Sequence, residues 1–139
     1  MENEDVVVQE VAEAEFDRFT ELMDLDVDQS SMDTEDVEQF LKIKRRLLRA
    51  IRKGALVVNE DGEAVYAPQR SASKYRDPLT FHERTGADLM AMDSRKKGHD
   101  MSKTYAIMAG MCRVHPKVFA GLAGIDGKVC EAIFTLLMD

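Results

Sequence analysis

Tryptophan is absent from this chain and aromatic residues make up only 6% of it, which excludes a core built on large rings. The interior must come from Leu, Val, Ile, Ala and the nine methionines. Only two cysteines occur, Cys112 and Cys130, in apolar-patterned stretches and at a separation matching neither a metal motif nor a disulfide framework, so buried structural thiols are expected. No apolar run approaches the roughly 20 residues of a membrane span. The N-terminus, MENEDVVVQE, is acidic where a secretory leader is basic, and the expectation is a cytoplasmic protein. Positive charge is nearly missing from the first quarter: between Met1 and Glu38 there are fifteen acidic residues and one basic residue, Arg18.

What is present is strongly blocked charge on a chain of single-domain length. Lys42 to Lys53 carries seven basic residues and no acidic one, and Gly54 to Asp139 balances at eleven of each sign. Such blocks point to internal pairing or to a charged partner. After an acidic, frayed start, Val8 to Leu25 has a helical spacing with Val8, Val11, Phe19, Leu22 and Met23 as its apolar residues. The turn-rich DLDVDQSSMD then loops, and Asp33 or Thr34 caps a second helix, Thr34 to Lys53. Its apolar face is read as Val37, Phe40, Leu41, Leu47, Leu48 and Ile51, with Phe40, Leu41, Leu48 and Ile51 making the contact to the rest of the domain. Lys42, Arg45, Arg46, Arg49, Arg52 and Lys53 fall opposite, and Lys44 points into the apolar stripe, where its stem is expected to snorkel, a buried charge pair being the alternative.

Ala55 to Ala67 holds two β-prone runs around Asn59-Glu60-Asp61-Gly62, a hairpin signal. A hairpin alone is marginal, so it must dock on helices or gain a third strand from Ser73 to Glu83, with Pro78 restricting that strand to an edge or a break. Pro68 to Ser73 reads as a linker between 1–70 and 71–139, two parts of one cooperative domain. Thr85 and Asp88 form a capping box ahead of a short helix, and Lys96 to Asp100 interrupts it. Met101, Tyr105, Met108 and Cys112 then recur at helical spacing. Pro116 opens a short helix, Lys117 to Leu122, and a final helix from Asp126 buries Val129, Ile133, Leu136 and Leu137. The fold class is α+β: mostly helical, one domain, five or six helices, and one small antiparallel hairpin or three-stranded sheet.

Catalytic constellations are thin. His82, His99 and His115 have no second histidine at i+3 or i+4, so zinc spacing is missing. Cys112 and His115 are close enough in sequence to touch, but no further ligand accompanies them. Gly121, Gly124 and Gly127 lack the preceding strand and the GK[ST] ending of a phosphate loop and read as punctuation. No catalytic residue, metal site or cofactor is assigned. Two features instead suggest binding. The basic face of the second helix has the electrostatic form of a nucleic-acid site, although a pI near 5.0 argues against that partner and the acidic first helix is expected to pack on it. Five methionines, Met90, Met92, Met101, Met108 and Met111, crowd into 22 residues, and flexible thioethers suit surfaces that grip variable apolar segments and equally suit filling a core around short helices.

Leu79-Thr80-Phe81-His82-Glu83-Arg84-Thr85-Gly86-Ala87-Asp88-Leu89-Met90-Ala91-Met92 is followed by Lys103 to Ala109, then by His115-Pro116-Lys117-Val118 and a closing helix. This order of patterns, from Ser73 to Asp139, resembles the tail assembly chaperones of Mu-like long-tailed phages. Arg84 stands where that family often has proline, and the first 70 residues exceed its compact core. The resemblance implies a non-enzymatic protein of the host bacterial cytoplasm, absent from the mature virion, that keeps the tape-measure protein soluble and helps tail tube subunits polymerise around it. Joined to the methionine count, it assigns partner binding to Thr85, Leu89, Met90, Met92, Tyr105, Met108 and Met111, with no membrane partner and with self-association left open. The alternative is a nucleic-acid-binding phage accessory protein that uses the basic helix, 42–53.

Overall fold

In a computed structural model that describes residues 8–83, 85–90 and 100–138, six α-helices and three short strands follow one another. They are α1 (Gln9–Leu22), α2 (Thr34–Arg52), β1 (Leu56–Val58), β2 (Ala64–Tyr66), β3 (Leu79–Phe81), α3 (Gly86–Met90), α4 (Asp100–Cys112), α5 (Lys117–Ala120) and α6 (Gly124–Met138). The architecture is the expected single α+β domain, with one three-stranded antiparallel sheet in the order β1-β2-β3. The frayed start at 1–7 and the interruption at 96–99 lie outside the described residues.

Helix α2 is specified at both ends. Asp33 caps it by accepting from the Asp36 N–H at 2.9 Å, and Glu35 and Asp36 sit favourably at the positive end of the helix dipole. Gly54, at φ 79°, stops it: its N–H donates to the Ile51 carbonyl and the Ala55 N–H to the Ala50 carbonyl, the paired bonds of a Schellman motif. The same pair closes α1 at Asp24 and α4 at Arg113, both non-glycine residues held at positive φ.

The buried stripe of α2 is Phe40, Ile43, Leu47, Leu48, Ala50 and Ile51. It is turned toward Ile43 and Ala50 relative to the expected one, and that rotation carries Leu41 out to solvent, 42% exposed, so Leu41 is not a core contact. Two helices impose it, since α1 packs on one flank and α6 on the other. Helix α1 likewise buries Ala12, Phe16, Phe19 and Thr20, while the expected Val8, Val11 and Leu22 are exposed. Phe16 meets Phe40 with ring centroids 6.3 Å apart, and Lys44 reaches over the Phe16 ring, its Nζ 5.5 Å from the centroid. That placement keeps the ammonium wet on an aromatic face.

The hairpin forms as expected around Asn59, whose side-chain oxygen accepts from the Asp61 and Glu63 N–H groups at 3.0 and 2.9 Å. Pairing of Leu56 with Tyr66, Val58 with Ala64, Ala64 with Phe81 and Tyr66 with Leu79 puts all six of these side chains on the core face. Only the second half of 73–83 becomes strand; Ser73–Tyr75 is a 3-10 turn, and Pro78 sits just ahead of β3 at the edge.

Both sheet edges are covered. Along β1, Glu15 accepts from the Val58 N–H at 3.0 Å, and Arg18 donates to the Val58 and Asn59 carbonyls at 3.1 and 2.7 Å. At β3, the His82 N–H donates to the Met111 carbonyl of α4 at 3.1 Å. Unpaired edge groups invite another chain, and these helices satisfy part of each row. One continuous core joins α1, α2 and the sheet to α4, α5 and α6.

Candidate functional site

The segment read as a linker is instead tied down. Asp126, in the first turn of α6 and 0% exposed, accepts from the Tyr66 hydroxyl at 2.6 Å, the Gln69 N–H at 2.8 Å, the Arg70 N–H at 2.9 Å and the Ser71 hydroxyl at 2.6 Å. Ser71 Oγ in turn accepts from the Ala123 N–H at 2.9 Å. Burial alone would raise the Asp126 carboxyl above its ordinary range, but these bonds prevail and hold it below. The same burial, with the Asp126 charge beside it, pushes the Tyr66 hydroxyl well up. The network locks residues 66–71 against α6, so Arg70 stands beside the basic side of α2.

Between these elements lies an open groove of about 600 Å³. Lys42, Arg45, Arg46, Arg49, Lys53 and Arg70 surround it, and Ala50, Ala55, Ile125 and Val129 supply its apolar floor. None of the six cations makes an ion pair with a described residue. The acidic first helix does not cover them: it reaches α2 through its apolar side, and Gln9 accepts from Arg52 at 2.6 Å on the other flank. The expected packing of acid on base is therefore corrected, because apolar burial decides which face of α1 turns inward. Arg52, partly buried there, does not line the groove.

The methionine set divides. Met108 and Met111 are core residues, 1% and 0% exposed, so they are not surface grips in this fold. Helix α4 must bury one side against β3 and the neighbouring helices, and both residues fall on that side. Met90 is 70% exposed. Tyr105 is half-buried and stacks on Phe119 at 6.3 Å. Thr85 is committed to the capping box, which forms as expected: the Thr85 N–H donates to Asp88 at 2.9 Å and the Asp88 N–H to Thr85 Oγ1 at 3.3 Å. Met92 and the side chains of Leu89 and Met101 lie outside the described residues.

The remaining candidates are locally committed. His82 Nδ1 is 2.7 Å from Glu63, and His115 Nδ1 accepts from the Lys117 N–H at 3.1 Å; His99 is outside the described residues. Cys112 and Cys130 are free and buried. Burial, helped by the Asp88 charge, pushes the Cys112 thiol up to about 12, and burial with the charges nearby raises Cys130 well above its ordinary value. Among the described residues no group of three or more His, Cys, Asp or Glu could hold a metal ion. Gly121 is a close-packing residue, since a Cβ there would meet the Tyr75 ring at 2.3 Å.

Sequence reasoning missed Asp126 as an anchor and Arg70 as part of the basic site. A lone acid in a first helical turn carries no spacing signal, and nothing in the order of residues links Arg70 to a helix that ends eighteen positions earlier. No described helix is long and apolar enough to cross a membrane. No family model, curated protein or solved structure matches the chain.

Proposed function

We propose that this protein is a phage tail assembly chaperone that binds the tape-measure protein and assists tail tube assembly in the host cytoplasm, itself absent from the finished virion. The observation that carries the reading is the succession from Leu79 onward: strand, capping box, exposed Met90 in a five-residue helix, then the helices up to Met138. A short helix entered through a capped turn can repack around unlike apolar ridges, and a thioether at its surface adapts to them. Each contact with the partner is then weak, and many copies along one long polypeptide supply the net affinity.

The gripping segment is accordingly assigned to Thr85–Met92 rather than to Met108 and Met111. Co-expression with the neighbouring tape-measure gene tests the reading. The native chain should co-purify with that partner and keep it soluble, whereas Met90→Ser with Met92→Ser should leave the fold intact and weaken capture. A native chain that neither binds the partner nor keeps it soluble refutes the chaperone role; a double variant that works equally well refutes only the assigned segment.

A further inference from the structure

The basic groove has no occupant among the described residues, yet it is organised for one. Its cations lie along one side of α2, at 42, 45, 46, 49 and 53, with Arg70 opposite. The ends of this row are eleven residues apart, roughly 16 Å along a helix. The floor between them is aliphatic, and Tyr66, the one ring among the described residues that lines the groove, is buried. A single-stranded nucleic acid gains much of its affinity by stacking bases on accessible rings, and this groove presents none. An amphipathic segment, with acids for the rim and small apolar groups for the floor, fits it better.

The chain carries such a segment on its own surface. Glu10, Glu13, Asp17 and Glu21 are all exposed and follow one another at steps of three and four, a single ridge along α1. Their ends are also eleven residues apart, so the acidic ridge has the same pitch and length as the basic row. None of the four makes an ion pair with a described residue. Beside the ridge, four residues after Glu10 and three before Asp17, Ala14 is an exposed small apolar group.

We propose that the basic groove of one copy receives the acidic outer ridge of α1 from a second copy, so that the protein associates head to tail. Groove and ridge are different surfaces, so each copy that donates its ridge still offers an empty groove. Such a heterologous contact grows into a ring or a filament rather than stopping at a dimer. The inference goes beyond the chaperone reading and does not depend on the identity of any other partner.

Sedimentation of the full chain over a concentration series tests it, with Arg45→Ser/Arg49→Ser as the groove variant and Glu10→Gln/Asp17→Asn as the ridge variant. All four positions are exposed, and unchanged thermal melts verify that both variants fold. The native chain should grow past dimer with concentration, and each variant alone should need about tenfold more protein or more to associate. Mixed in equal amounts, the two variants retain one intact ridge and one intact groove and should stop at a one-to-one dimer. A native chain that stays monomeric overturns the proposal, as does a ridge variant that associates like the native chain or a mixture that gives no dimer. Random single-stranded DNA serves as the competing probe. If it binds the native chain and not the groove variant while no self-association is seen, the groove is a polyanion site and the proposal is wrong.

Discussion

Replacing Asp126 by Ala should be among the most damaging single changes available to this protein. The carboxylate takes four hydrogen bonds at 2.6 to 2.9 Å, two from hydroxyls that are themselves buried, Tyr66 and Ser71, and two from the Gln69 and Arg70 backbone beside the groove. A buried donor left unpaired costs about 1–3 kcal/mol, while the two backbone donors can recover water at the groove mouth. Counting the two buried hydroxyls fully and the backbone groups in small part gives a loss of roughly 3–6 kcal/mol, a large share of a typical stability of about 5–15 kcal/mol. Tyr66→Phe, which removes one bond and leaves the carboxylate three, should cost only about 1–2 kcal/mol. Acidity supplies an independent readout. The Asp126 pKa is lower in the folded than in the unfolded chain, so its contribution is present above the unfolded value of about 3.9 and is lost as pH falls through the folded value. Urea melts at neutral pH and through the acid range measure both effects in native, Asp126→Ala and Asp126→Asn chains. A loss under about 1 kcal/mol for Asp126→Ala, or an acid slope identical in native and Asp126→Asn chains, would refute the anchoring argument.

Leu48→Ala, in the buried stripe of α2, should cost about 2–5 kcal/mol in the same melts, whereas Leu41→Ala, on the exposed side, should stay within ~0.5 kcal/mol. Arg113→Gly relieves a left-handed backbone position at the end of α4 and should raise stability by about 0.5–1 kcal/mol; a lower melting temperature would contradict the Schellman assignment. The thiols of Cys112 and Cys130 should resist alkylation in the native state and react only as fast as the chain opens, and the Cys112→Ser/Cys130→Ser chain should fold at a cost of roughly 1–3 kcal/mol. Labelling that outpaces opening, followed by mass spectrometry, would show an accessible thiol.

Local signals in the sequence were legible wherever one or two residues decide the outcome. Asp33 as a cap, Gly54 as a stop, the Asn59 turn and the Thr85–Asp88 box all form from neighbours in the chain, and each appears where its residue type predicts. Which face of a helix turns inward was less legible, because distant elements settle it. Leu41 and Val11 are as apolar as Leu48 and Phe19, but the flanks of α2 taken by α1 and α6 leave Leu41 outside, and Phe16 with Ala12 gives α1 a better seat than Val8 and Val11. The same holds for methionine, whose side chain serves core and surface equally; β3 and its neighbours draw Met108 and Met111 in. The basic row of α2 could be read from charge alone, whereas its partner Arg70 and the aliphatic floor exist only once Asp126 has pinned the intervening segment.

The two closed edges of the sheet have different histories on a growing chain. Arg18 leaves the ribosome 40 residues before Val58, whose carbonyl it holds, so the segment that shields β1 has already been synthesised when that strand emerges. The edge of β3 closes on the carbonyl of Met111, 29 residues after His82, a delay of roughly 1.5–6 s at ~5–20 residues per second. During that interval β3 is the bare flank of the nascent sheet, and slow translation between His82 and Met111 would prolong the time in which neighbouring nascent chains can pair with it.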